Sequence, residues 1–338
     1  MSRFQIGLFC CLSFVSLEAF QAVYLGSVFQ NVDSFLVGMW VFGISVAGCT
    51  LATAIRRPIE LIASVRAWRI VLVLNLYAAL TWTTYFFAVQ LIEPAVVFTV
   101  FSGMVPLGTV IGAWTGLPEA AGPKRRLTRY GNLLILISIL FLAAITTFGL
   151  SGFVRGGALT ALLGVGLSAL SGACTAFVIL YSVRLNRNGV GPLAQFGLRF
   201  ILYTLLASAA FLWGLDDKGT ASAPVDLAVI VMIGLLVIAF PLYLVQKAVP
   251  LVPASTITAM TALGPVMVFG MQLFDGRVDY SAATLAGLMI YIAGAFLAVY
   301  SATVQSAARL DPSGYEGRIR DAPVAAHSQT AEENADGP

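Results

Sequence analysis

The run PAVVFTVFSGMVP, residues 94–106, returns 159 positions later as PASTITAMTALGP, residues 253–265. Pro94, Ala95, Thr99 and Pro106 of the first copy match Pro253, Ala254, Thr258 and Pro265 of the second. Proline lacks an amide hydrogen and its ring clashes with the preceding turn, so helix interiors rarely carry it. Two prolines at one spacing of twelve, the first opening an apolar run and the second in its middle, mark an internal repeat.

Around these runs the chain is almost uniformly apolar. Of its 338 residues 59% are hydrophobic and 10% charged, and the mean hydropathy is +0.91. Soluble domains carry roughly a quarter charged residues, so this chain has too few to cover a surface in water. A membrane-spanning helix needs about 20 mostly apolar residues, and ten segments qualify: 5–28, 35–55, 68–89, 94–115, 130–150, 157–182, 193–215, 227–249, 252–274 and 281–304. Turn and breaker residues separate them, such as Arg57-Pro58, Gly122-Pro123 and Asp275-Gly276. The first apolar run continues past Leu25 with no small-residue cleavage pattern, so no signal peptide is expected. Residues 305–338 are polar and mixed in charge, which predicts a disordered tail. Cys10, Cys11, Cys49 and Cys174 all fall in apolar segments and imply no disulfide framework.

The basic residues set an orientation. With the N-terminus inside, only Arg155, Lys218 and Arg277 of the nineteen fall outside, and the other sixteen are cytoplasmic. Both termini are then cytoplasmic in a cell (inner or plasma) membrane, which requires an even number of spans. The repeated prolines lie on spans four and nine, so the repeating unit is five spans long. An odd number of spans inverts the second copy relative to the first. The expected fold is therefore all-α and integral to the membrane: ten transmembrane helices as two inverted five-helix repeats, residues 1–150 and 151–304. This is the layout of secondary transporters whose site lies near the midplane, between the halves. The charges agree with inversion, since Glu93 falls outside and its counterpart turn carries Lys247 inside.

On these residues the chain resembles the drug/metabolite transporter (DMT) superfamily, and within it the EamA-type exporters. Gly191-Pro192-Leu193 through Arg199-Phe200 is similar to that family's Pro…Arg-Phe pattern entering the second helix of a repeat. Asp275 stands where the family commonly has an acidic residue, and Gly287 with Gly294 resembles its last helix. The first half departs: no arginine occurs between Phe35 and Ile55, and Gly116-Leu117 lacks the acidic partner. Over roughly residues 5–304, the resemblance implies an exporter of metabolites or drug-like amphiphiles, driven by a proton gradient or by exchange. It names no substrate.

Glu18 is the sharpest candidate residue. It lies midway along the first span with no basic residue in that segment, and an ionised carboxylate there costs about 2.5–3.5 kcal/mol on insertion scales. It must face a polar cavity, bind a cation or stay protonated. Such a group can couple protons or anchor a substrate amine; the plainer alternative is a protonated acid bonded to a neighbouring helix. Gln21, at i+3, can hydrogen-bond it. Asn75, Trp82 and Tyr85 share one face of span three and could line a cavity for a flat or amphipathic ligand, or simply pack. Tyr243 and Gln246 occupy the equivalent face of span eight. Pro106 and Pro265 bend their helices at mid-depth, as hinges or as fixed kinks. Gly164, Ser168 and Gly172, and likewise Gly108 with Gly112, form small-residue faces for close helix packing. Arg199 and Lys247 read as interfacial snorkellers, with Arg199 alternatively holding an anionic substrate group.

Other classes are disfavoured. The one histidine, His327, lies in the tail, so the bundle has no histidine base or metal cluster, and neither metal nor cofactor is expected. There is no P-loop, no channel-filter repeat and no basic stripe for nucleic acid. The reading is a non-enzymatic secondary active transporter, exporting a small amphipathic or zwitterionic metabolite by alternating access. Its partners are that substrate and the lipid bilayer, with a homodimer left open. A lipid translocator or scramblase, or a non-transporting sensor or assembly protein, are the alternatives.

Overall fold

The computed structural model describes residues 3–120, 126–216, 218, 224–248, 251 and 260–310, with side chains at all of these but 3–4, 224–225, 239, 242–243, 245–248 and 302–310. The described residues are helical, without strands beyond one isolated bridge between Ile92 and Val154. In chain order the helices are α1 (Arg3–Val28), α2 (Ser34–Arg56), α3 (Pro58–Arg66), α4 (Trp68–Leu91), α5 (Pro94–Trp114) and α6 (Arg126–Thr147). They continue as α7 (Ala158–Arg187), α8 (Pro192–Leu198), α9 (Ile201–Leu212), α10 (Pro224–Ala248), α11 (Gly264–Gln272) and α12 (Ala282–Leu310). Among the described residues, eight segments are long and apolar enough to cross a membrane: α1, α2, α4, α5, α6, α7, α8 with α9, and α12. The chain is thus a multi-pass helical membrane protein. Trp68, Trp114, Tyr130 and Tyr300 are exposed toward one end of the bundle and Phe148, Trp213, Phe274 and Tyr280 toward the other, with Phe20, Trp40 and Phe296 exposed between them. Such belts suit the two water–lipid boundaries.

Local chemistry sets the boundaries. Proline opens α3, α5, α8 and α10, where its missing amide hydrogen would have no intrahelical partner anyway. The Asp33 carboxylate caps α2, accepting from the amides of Phe35 (2.7 Å) and Leu36 (3.1 Å). Gly149 and Gly189, with φ of 72° and 82°, stop α6 and α7. Beyond each, the amide of the next residue, Leu150 or Val190, reaches back five residues to Ile145 or Leu185, as in a Schellman cap.

Four features depart from the sequence expectation. The connection near Arg57-Pro58 is a nine-residue helix, α3, whose Ile59, Ile62 and Val65 are exposed. Span seven is broken after Leu198 into α8 and α9. Pro265 sits in the first turn of α11 instead of mid-helix, because the chain turns at Ala262-Leu263 before it; proline is accommodated there without losing a helical bond. The last helix continues to Leu310, past the expected end at 304. Pro253, Ala254 and Thr258 of the second repeat copy, and the tail beyond Leu310, lie outside the described residues.

The helices pack in a regular pattern. α1 lies against α10 and α11, while α7 lies against α4 and α5; α2 packs on α8 and α9, α6 on α12, and α5 on α11. Small residues set the closest approaches. A Cβ on Gly108 would come within 2.7 Å of Ala176 Cβ, and one on Gly172 within 2.7 Å of Met104 Cβ, so the α5–α7 seam requires glycine. Gly131 and Gly294 bring the backbones of α6 and α12 together in the same way.

Polar side chains tie the junctions at each end. At the upper end, fully buried Glu93 accepts from the Gly152 amide (2.7 Å) and Thr284 Oγ1 (2.7 Å), and from Gln272 Nε2. Gln272 Oε1 in turn accepts from the Ala95 amide (2.9 Å). Lys218 joins this end, bonding Gln90 Oε1 (2.8 Å) and Asp216, while Asp216 accepts from Ser34. At the lower end Glu60 accepts from the Gly191 amide (3.0 Å), Glu119 pairs with Arg184 (3.1 Å) and Arg187 (3.6 Å), and Thr128 meets Ser301 (2.9 Å). The turns α1–α2, α4–α5, α6–α7, α9–α10 and α11–α12 therefore meet at one end. Those after α2, α5 and α7 meet at the other, with the last turns of α12.

Candidate functional site

Midway through the bundle, α1, α4 and α5 border a partly open cavity of about 60 Å³ lined by Glu18, Gln21, Thr81, Trp82, Tyr85, Phe98 and Phe101. Helical spacing delivers these groups. Gln21 follows Glu18 by three residues on α1, Tyr85 follows Thr81 by four on α4, and Phe101 follows Phe98 by three on α5. Glu18 is the only charged group in the lining, and no ion pair to it is formed among the described residues.

The aromatic wall is locked by ring contacts. Phe98 meets Phe101 at 6.2 Å between centroids, Phe101 meets Tyr85 edge-on at 5.4 Å, and Tyr85 meets Trp82 at 6.0 Å. Behind it, Phe42 and Phe86 pack on Trp82 at 4.9 and 5.4 Å. At roughly 10–15 Å³ per water, the cavity has room for a few waters. Ligand pockets run to about 300–1,000 Å³, so the described cavity is smaller than a metabolite-sized pocket.

The cavity has a polar roof one turn above it on all three helices. The Arg277 guanidinium lies over the Phe153 ring (4.6 Å) and against Gly26, with Nη1 3.4 Å from the Val89 carbonyl and Nε 3.4 Å from Asp275. Pro94 closes in beside Gly26. Below the cavity, Pro106 sits inside continuous α5, where it denies the Ser102 carbonyl its usual partner. Thr109 Oγ1 bonds the Pro106 carbonyl (2.6 Å).

Of the residues singled out in the sequence, Glu18, Gln21, Trp82 and Tyr85 come together in this cavity. Asn75 does not join them. It points instead at the break between α8 and α9, with Nδ2 donating to the Leu198 carbonyl (2.8 Å) and Oδ1 accepting from the Leu202 amide (3.0 Å). In a continuous helix those two backbone groups would bond each other, so the Asn75 amide is wedged into an opened helical hydrogen bond. The side chains of Tyr243 and Gln246 lie outside the described residues. Thr81, Phe98 and Phe101 were not singled out, though Phe98 and Phe101 lie within the run 94–106 itself. Among the described residues no group of three or more His, Cys, Asp or Glu could hold a metal ion.

No family model and no curated protein matches the chain. Nine chains of known structure do. One, described only as "Crystal structure of protein", superposes with a TM-score of 0.56 at 20% identity, covering 86% of this chain and 95% of its own. At that identity the likeness shows the fold alone. Fold and site together define a multi-pass helical membrane protein with an interior, carboxylate-bearing, aromatic-walled cavity.

Proposed function

We propose that this protein is a secondary active transporter, working as an exporter of a small amphipathic or zwitterionic metabolite that carries an amine. One observation carries the reading. Glu18, a carboxylate without an ion-pair partner among the described residues and halfway along an apolar helix, faces a partly open cavity whose other described walls are aromatic rings and two neutral polar groups. Such a cavity offers an ammonium group one counter-charge and several ring faces. It offers nothing for catalysis beyond a single acid, and we assign no enzymatic role.

The architecture is read as ten crossings in two inverted halves. Offsetting the helices by five crossings matches α1 with α7, α2 with α8–α9, α4 with α10, α5 with α11 and α6 with α12. Under that offset the packing of α1 on α10 and α11 corresponds to that of α7 on α4 and α5, and the other main contacts map onto themselves. The turn pattern supports the same reading, because every second junction returns to the upper end. Arg155, Lys218 and Arg277 belong to that end, and the positive-inside rule then makes it the outer one. These features agree with the resemblance to EamA-type exporters.

In this reading the cavity alternates between the two sides, Pro106 and the break before Pro265 are the hinges, and a proton and the substrate amine compete for Glu18. The test is flux in reconstituted vesicles. Glu18→Gln should abolish transport driven by a pH gradient while leaving the fold and detergent stability intact. Wild-type flux in that variant would refute the coupling role.

A further inference from the structure

A second charged side chain lies inside an apolar crossing, away from the cavity. Arg199 stands between α8 and α9, seven residues after Pro192, so at 1.5 Å per residue it lies roughly 10 Å in from the lower end. Its guanidinium lies against the rings of Phe196 (5.0 Å) and Phe200 (4.6 Å), and among the described residues its buried Nε has no hydrogen-bond partner and no carboxylate pairs with it. Across the α2–α8 seam a second buried polar atom, Thr50 Oγ1, is also without a partner among the described residues. It comes within 2.8 Å of where a Cβ on Gly197 would stand, so the absence of a side chain at 197 lets Thr50 approach.

Buried donors are nearly always satisfied, and an orphan in a hydrocarbon layer is costlier still. Here two orphans share one seam, at a helix break that the buried amide of Asn75 holds open. The seam also borders open space: a Cβ on Gly48 would meet nothing within 4 Å, and Leu51 and Leu193 are exposed.

We propose that the α2–α8 seam is a binding site for a phosphate group, with Arg199 donating to its oxygens and Thr50 completing the cradle. A guanidinium presents several donors in a planar fork that matches phosphate, and Phe196 and Phe200 exclude water from its faces. Long basic side chains at this depth reach toward the headgroup layer, where the phosphate of an anionic phospholipid is the nearest source; inorganic phosphate is the other.

Native mass spectrometry of the delipidated full chain, titrated separately with phosphatidylglycerol and with inorganic phosphate, tests this directly. The wild type should retain one phosphatidylglycerol that Arg199→Gln binds about tenfold more weakly or worse, the scale of a charge-assisted hydrogen bond. Arg199→Lys should retain part of it, and Thr50→Val should weaken it severalfold. Retention of inorganic phosphate alone, sensitive to the same variants, would keep the site and reassign the source. Equal lipid and phosphate retention in the wild type, Arg199→Gln and Thr50→Val would overturn the proposal. If Arg199→Gln fails to fold, the Thr50→Val comparison alone decides it.

Discussion

Replacing Asn75 by leucine, a side chain of similar size, removes one amide that three backbone groups share. Nδ2 donates to the Val71 carbonyl (2.9 Å) as well as to that of Leu198, and Oδ1 accepts from the Leu202 amide. Val71 keeps its helical partner, so its loss is small. The Leu198 carbonyl and the Leu202 amide become orphans at a buried helix junction, and orphaned groups cost about 1–3 kcal/mol each. Two effects reduce the sum. Interhelical hydrogen bonds in bilayers average only about 0.6 kcal/mol and reach about 1.7, and the α8–α9 break can partly reclose by bonding Leu202 to Leu198 directly. A net loss of about 1–3 kcal/mol follows, which at roughly 2–4 °C per kcal/mol for a large domain is several degrees of melting temperature. Thermal unfolding in detergent, followed by size-exclusion of the surviving fraction, reads this. The expected result is a lower melting point with substrate affinity changed little, because Asn75 stands outside the cavity. Unchanged melting with lost binding would refute the wedge and return Asn75 to the binding site.

Two further variants probe the packing and the upper clasp. Gly108→Leu should prevent assembly of the α5–α7 seam, since even a Cβ there falls 2.7 Å from Ala176; a drop in folded yield of several-fold in detergent extracts measures it, and normal yield would remove the close-contact argument. Glu93 lies outside the crossings, and burial lifts its pKa, opposed by the bonds from Thr284, Gly152 and Gln272. The folded protein then keeps this proton at pH values where the unfolded chain has lost it. Its contribution to stability is full below the ordinary glutamate value and declines as pH rises through the raised one. Glu93→Gln should flatten that part of the melting-temperature profile; a slope identical to wild type would contradict the assignment.

Much of the architecture is written locally and could be read from the residues. Apolar runs bounded by proline and glycine predict most helix limits, because capping and the missing proline amide act within a few residues. Glu18 stands out for the same reason: a charge in an apolar run is visible without knowing its neighbours. The break after Leu198 is different. No proline or glycine lies at 198–201; the wedge is Asn75, 123 residues earlier in the chain, and no periodicity carries that information. Spacing alone therefore leaves the Asn75 face open to a ligand or to a neighbouring helix, and the structure puts the α8–α9 break against it. The clasp on Glu93 was hidden likewise, since Gly152, Gln272 and Thr284 meet it only once the helices have packed. Helix α3 went unread because nine residues are too short to register as a span, although Ile59, Ile62 and Val65 recur at helical spacing.

The proposed inverted halves require the end of α4, at Leu91, and position 249 to lie on opposite faces of the membrane. Single cysteines, Leu91→Cys and Val249→Cys, labelled with a membrane-impermeant maleimide in right-side-out and inverted vesicles, distinguish the cases. Labelling of Leu91→Cys from outside and of Val249→Cys from inside is the predicted result. Labelling of both from the same side would contradict the inverted halves and, with them, alternating access around Glu18.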